Sequence, residues 1–159
     1  VRHRLDGNLP AIDIEGHKFY VDIRMQSLRP HNDFTTEGIT LMDLKDFYYP
    51  VNDTYSFLYD ARKHEVAAID LERVTEIPKH VVALEIPTFM DMDPVGIARD
   101  YSKDFKKYLR AHPPRAELKA QRIPWEDTVI GLYIERNLKK AQEQKPGEEE
   151  RRQKPRLRP

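Results

Sequence analysis

Between residues 80 and 109 the chain carries a β-favouring run, a proline stop and the start signal of an amphipathic helix. Val81, Val82, Ala83, Leu84, Glu85 and Ile86 form the run, and Pro87 ends it. Residues 88–92 then lead to Asp93, a side chain suited to cap a helix, followed by Pro94, which favours the first helical position. At about 100° per residue, Pro94, Ile97, Ala98, Tyr101, Phe105, Tyr108 and Leu109 share roughly 120° of arc. Charged Arg99, Asp100, Lys103, Lys106, Lys107 and Arg110 lie outside it. The spacing predicts one helix over 94–111 with Phe105 in the core. Every other element must pack around this strand and helix.

Enough apolar material is present to build that core. Ile, Val, Leu and Phe total 39 of 159 residues, a quarter of the chain and above the range typical of disorder. The net charge of zero hides a split. Residues 145–159 hold six Lys/Arg against three Glu, leaving 21 basic and 24 acidic of the 27 of each in 1–144. A mildly acidic body does not fit a whole-domain nucleic-acid binder, whereas a basic end allows a contact through the tail. The expectation is one domain over 1–144 and a disordered tail over 145–159, where charges and prolines cannot offset their ordering entropy. With no cysteine, disulfides, thiolate nucleophiles and Cys-based zinc sites are excluded. No run reaches transmembrane length, and the first residues are not followed by a signal-type apolar segment. A cytoplasmic protein with no membrane contact is expected.

Upstream, Ile12 and Ile14 alternate with Asp13 and Glu15, and Gly16 supplies a turn. Phe19, Val21, Ile23 and Met25 then alternate with Tyr20, Asp22 and Arg24, a β-hairpin over 9–25. Leu28-Arg29-Pro30 ends it, and 31–38 is a polar loop. Residues 39–49 fit either strand or helix, with strand favoured by their neighbours. Tyr55, Phe57 and Tyr59 begin a second hairpin whose return is 66–69, and 71–77 suggests one helical turn. Downstream of Pro113-Pro114, alternation of Ala116, Leu118 and Ala120 suggests a strand over 115–122. A last helix is expected over about 126–143, facing inward with Val129, Ile130, Tyr133, Ile134, Leu138 and Ala141. Gly131 should weaken it by roughly 1 kcal/mol relative to Ala. Strands early and helices late predict an α+β fold: a mostly antiparallel sheet with two helices on one face.

No chemical motif is complete. His80, Asp91, Asp93 and His112 are the best metal candidates, but they lack the helical spacing of a zinc site, so no metal and no cofactor are expected. Asp13, Asp22, Asp43 and Asp60 lie on or beside strands, where two carboxylates can meet for acid–base work; outward strand positions are also polar simply because they face water. The six glycines are isolated, so no phosphate loop exists, and Ser27, Ser56 and Ser102 lack a nucleophile-elbow context. Tyr48, Tyr49, Tyr55, Phe57 and Tyr59 form the densest aromatic patch. Asp46, Asp53 and Asp60 interleave with it, which favours packing or a protein interface at Tyr48, Tyr49 and Tyr55 over base stacking. In the tail, Arg151, Arg152, Lys154, Arg156 and Arg158 suit phosphates or an acidic partner, or simply solubilise the end.

The run Leu9-Pro10-Ala11-Ile12-Asp13-Ile14-Glu15-Gly16 with Phe19-Tyr20-Val21-Asp22-Ile23-Arg24 resembles small uncharacterised proteins of Bacteroidetes-type genomes, some near mobile or conjugative elements. The 82–86 strand, Asp93-Pro94-Val95-Gly96-Ile97-Ala98-Arg99 and Ile134-Glu135-Arg136-Asn137 carry the same resemblance. It implies a one-domain accessory protein and transfers no active residue. The leading expectation is a non-enzymatic module that binds a protein partner. A nucleic-acid-associated accessory protein acting through the tail comes next, then a hydrolase built from scattered Asp and His.

Overall fold

The structure, a computed structural model, describes residues 1–143 in full and the backbone of the final helix as far as Gln153. The chain divides into two compact units: Val1–Ala67 with Lys79–Ile123, and Ala68–Pro78 with the chain from Pro124 onward. The fold is α+β, and its strand pairings within both sheets are antiparallel.

The first unit holds two sheets where one was expected. In the first, β1 (Ala11–Ile14), β2 (His17–Asp22), β3 (Ser27–Pro30) and β4 (Ile39–Thr40) lie side by side in chain order. The second runs β5 (Tyr48–Tyr49), β6 (Thr54–Asp60), β8 (Val81–Pro87) and β9 (Gln121–Arg122), with β7 (Glu65–Val66) also paired to β6. Ile12, Ile14, Phe19, Val21 and Leu28 from one sheet share a core with Tyr55, Phe57, Tyr59, Leu84 and Ile86 from the other. Phe19 meets Tyr59 edge to face, with ring centroids 6.2 Å apart. Period-two alternation is thus realised as two apolar faces sealing one another.

The expected hairpin at 9–25 forms, with Glu15 (φ 54°) and Gly16 (φ 80°) as a two-residue turn that needs positive φ at both positions. It stops at Asp22 rather than Met25. The Asp22 carboxylate accepts the Met25 N–H at 3.1 Å, the chain reverses over 23–26, and β3 follows where only an end had been read. Residues 39–49 are neither strand nor helix throughout: β4 passes into α2 (Leu41–Leu44), a 3-10 turn at Lys45–Phe47 and then β5. Thr40 explains the switch, since its hydroxyl accepts the Asp43 N–H at 3.2 Å as a helix cap. The return of the second hairpin is only β7; the main partner of β6 is β8, in register from Thr54↔Pro87 to Asp60↔Val81. Within 71–77 the expected single turn forms at 71–73, closed by the Val74 N–H on the Asp70 carbonyl at 2.9 Å, whereas the strand expected over 115–122 shrinks to β9 and one parallel bridge, Asp13↔Lys119.

The helix expected over 94–111 is broken. After a short α3 (Phe89–Met92), Asp93 caps α4 (Pro94–Tyr101) by accepting the Gly96 N–H at 3.1 Å. The chain then leaves the helix at Ser102, and Asp104 caps a new one, α5 (Phe105–Ala111), by accepting the Lys107 N–H. Local Ser and Asp side chains competed with the helical backbone and won. The predicted arc is therefore cut. Pro94 and Ala98 are buried, Phe105 is only half-buried, and Tyr101 is 70% exposed. At the start of the chain, α1 (Arg2–Leu5) packs against α4.

In the second unit a 3-10 turn at Trp125–Asp127 precedes α6 (Val129–Gln153), which begins three residues later than expected because Thr128 is still extended. Its buried stripe is narrower than the predicted half-circumference. Ile130, Ile134 and Asn137 are buried, while Val129 and Leu138 are exposed. Gly131 is required here, since a Cβ would stand 2.6 Å from the Glu126 carbonyl oxygen. The Asn137 amide donates to the carbonyls of Leu71 (3.0 Å) and Val74 (2.7 Å), fastening residues 68–78 to α6. Asn137→Ala should leave both carbonyls unmet and cost about 1–3 kcal/mol. Hydrogen exchange across 68–78 should accelerate accordingly; unchanged protection there would show that the two bonds contribute nothing.

Candidate functional site

The outward edge of β1 decides the site. Pro10, Ile12 and Ile14 face β2, as the Val21 N–H bond to the Pro10 carbonyl at 2.8 Å and the register Ile12↔Phe19 show. Main-chain groups alternate sides along a strand, so the N–H and C=O of Ala11 and Asp13 point away from β2. Those of Asp13 are satisfied: its N–H donates to the Leu118 carbonyl at 3.0 Å, and its carbonyl accepts the Ala120 N–H at 2.8 Å. One step upstream the same parallel ladder would join Ala11 to Ala116 and Leu118. Among the described residues neither bond forms, and the two segments diverge into an open cleft of about 810 Å3.

Ala11, Asp13 and Lys18 lie along one side of this cleft, and Arg115, Glu117 and Lys119 along the other. Its base is built on a buried ion pair. Arg4 reaches Asp93 through Nε at 3.0 and 3.1 Å and through Nη2 at 3.0 Å, with Asp93 1% exposed. The same carboxylate caps α4, so one side chain fixes both α1 and the helix start. The downstream segment is held in place by β9, where Arg122 forks onto Glu15 at 2.5–3.1 Å. That bond, ahead of the opposing effect of burial, lowers the Glu15 carboxyl below its usual range. The arrangement offers unpaired main-chain donors and acceptors in a cleft lined in part by the Arg4–Asp93 pair. It does not offer a nucleophile beside a base.

The residues singled out in the sequence are dispersed. His80 lies 3.7 Å from Asp60, Asp93 is taken by Arg4, and His112 Nδ1 lies 3.5 Å from Asp91. The four metal candidates thus fall into three separate pairings, and among the described residues no group of three or more His, Asp or Glu gathers as ligands. Three of the four strand aspartates accept backbone N–H groups. Asp13 accepts the Gly16 N–H at 2.8 Å, Asp22 that of Met25, and Asp60 those of Arg62 and Lys63 at 2.9 and 3.1 Å. Asp43 closes the Thr40 cap, accepting its hydroxyl at 2.9 Å. No two of them face each other across a sheet in the strand registers.

Within the tyrosine patch, Tyr48 and Tyr49 are exposed at 45% and 46%, with Phe47 and Val51 exposed beside them. Tyr55 stands directly opposite Tyr48 in the β5–β6 register, on the same face, but deeper. It is buried at 8% and packs edge to face on Phe89 and Tyr48. The Tyr48 hydroxyl donates to Asp53, which raises its pKa and keeps it neutral. Of the basic residues, Arg151 and Arg152 fall on the backbone of α6, which also covers 145–153 of the disordered tail expected over 145–159, and nothing of their side chains is described; Lys154, Arg156 and Arg158 lie outside the described residues.

Sequence reasoning missed Arg4 and Ala11. Asp93 was legible as a cap, but its partner is 89 positions away, and the contribution of Ala11 comes from its backbone. Among the described residues no helix is long and apolar enough to cross a membrane. No family model matches the chain, and no match was found among curated proteins or among solved structures.

Proposed function

We propose that this chain is a non-enzymatic protein-interaction module that takes an extended segment of a partner protein into the cleft beside β1. The observation that carries the reading is the interrupted ladder: Asp13 is paired to 118–120, and Ala11 is not. An inserted strand would satisfy Ala11 on one side and the divergent 116–118 backbone on the other, a form of recognition by strand addition. Main-chain bonds then supply affinity, and the charged rim of Lys18, Arg115, Glu117 and Lys119 discriminates among partners. The exposed Tyr48 and Tyr49 provide a second, separate contact surface. Absence of cysteine suits a reducing compartment, and the cytoplasm is the proposed location.

Selection of peptides from a displayed random library against the full chain tests the idea. Bound peptides are expected to lose at least about tenfold in affinity when Ala11 becomes Pro, which removes one N–H and blocks the edge. Methylating single backbone amides of the peptide should weaken binding at successive central positions, because a strand between two walls uses both of its sides. Peptides indifferent to Ala11→Pro, or displaced by changes at Tyr48 and Tyr49 instead, would overturn the assignment.

A further inference from the structure

A second feature of the first unit lies away from the cleft, where the loop 31–38 is fastened to the turn between β6 and β7. The Asp33 carboxylate stands 3.4 Å from His64 Nδ1, and the Thr36 hydroxyl donates to Glu65 at 2.5 Å. The His64 ring lies over that of His17 on β2, with centroids 3.9 Å apart and planes at 31°. Phe19 presents itself edge-on to both rings, at 5.5 and 6.1 Å. His17 Nε2 and His64 Nδ1 are buried without a hydrogen bond. Two stacked imidazoles with spare nitrogens are an unusual filling for such a junction, since buried polar atoms are nearly always paired.

We propose that the His17–His64 stack is an acid-operated latch, whose second proton drives the β6–β7 turn and the loop 31–38 away from β2. The Asp33 carboxylate at 3.4 Å from His64 Nδ1 can balance one positive charge in the stack, but not two. A second proton places two imidazolium rings against each other at 3.9 Å. The groups acting on the pair are His31 and Asp33 from the loop, while Glu65 on β7 holds the Thr36 hydroxyl. Burial, and then the charge of His64, hold the pKa of His17 below its ordinary value; the bond to the His31 backbone and the Asp33 charge oppose this, and the His31 charge adds to the lowering. A histidine with a depressed folded pKa contributes stability that is complete above the unfolded value of about 6.5 and is lost as pH falls through the folded one. The latch therefore opens on acidification, not on alkalinisation. Backbone strain assists release, because Asn32 and His64, one in each latched segment, sit at φ 57° and 56°.

The test follows the histidine rings of the full chain by NMR from pH 7.5 to 4.5, together with amide exchange of 31–38 corrected for intrinsic rates. His17 should titrate below about 6.5, and the opening of 31–38 should rise by up to tenfold per pH unit between about 6.5 and that midpoint, levelling off beneath it. In His17→Phe, which keeps the stack and removes the charge, the rise should vanish. Should that variant not fold, His17→Gln supplies the same comparison. An equal rise with the neutral residue, or a His17 midpoint at or above the ordinary value, would sink the proposal.

Discussion

Replacing Arg4 with Met is expected to destabilise the first unit by about 3–5 kcal/mol. The reason lies in what remains rather than in what is lost. Asp93 is 1% exposed, and without the guanidinium its carboxylate keeps only the Gly96 N–H as a partner. Against a total stability of roughly 5–15 kcal/mol, that cost is a large fraction. The double variant Arg4→Met/Asp93→Leu should recover most of the loss, because buried ion pairs replaced whole by apolar side chains are often neutral; only the cap, about 1 kcal/mol, stays missing. Urea unfolding of the two variants and the parent measures both quantities. A loss under about 1 kcal/mol for Arg4→Met would mean that water reaches the pair. Binding in the cleft should fall with the single variant and return with the double, since the pair acts as floor and not as a contact.

Gly38→Ala should be nearly as damaging, with a loss of about 3 kcal/mol or more. Gly38 has φ +76°, and a Cβ there would stand 2.2 Å from the Leu28 carbonyl oxygen and 2.7 Å from the Pro30 ring. Neither neighbour can yield, because Leu28 is fully buried and paired with both β2 and β4. Gly7→Ala is the matched control. Its φ is +97° but nothing lies within 4 Å, so it reports the backbone penalty alone, about 1 kcal/mol. The difference between the two unfolding midpoints isolates the steric contribution. Equal losses at the two positions would show that the strand β3 moves aside.

What could be read from residues alone was whatever a short window encodes. The alternation of Ile12, Ile14, Phe19 and Val21, the apolar run at 81–86 and the Asp93-Pro94 helix start all depend on neighbours within a few positions, and all are realised. The failures share a cause as well. Reading 94–111 as one helix let apolar spacing outweigh Ser102 and Asp104, whose side chains bond locally and restart the helix. Pro30 was read as a terminator, yet it closes β3 opposite Phe19 without having to donate a ladder bond there. The cleft was beyond reach for a different reason: it consists of main-chain groups that every residue carries, made special by a divergence between segments far apart in sequence. Nothing at Ala11 marks it.

That divergence also has a consequence in time. The segment that pairs with Asp13 is made roughly 100 residues after β1, so during synthesis the whole outer edge of β1 is without its native neighbour. At about 5–20 residues per second, the interval is on the order of 5–20 s. An unpaired edge lasting seconds is a template for any extended chain nearby. A partner segment present at the ribosome meets a longer edge than the finished protein offers, with Asp13 as open as Ala11. Whatever enters first competes directly with residues 118–120, and the order of encounter, rather than affinity alone, then decides how much of β1 the partner holds.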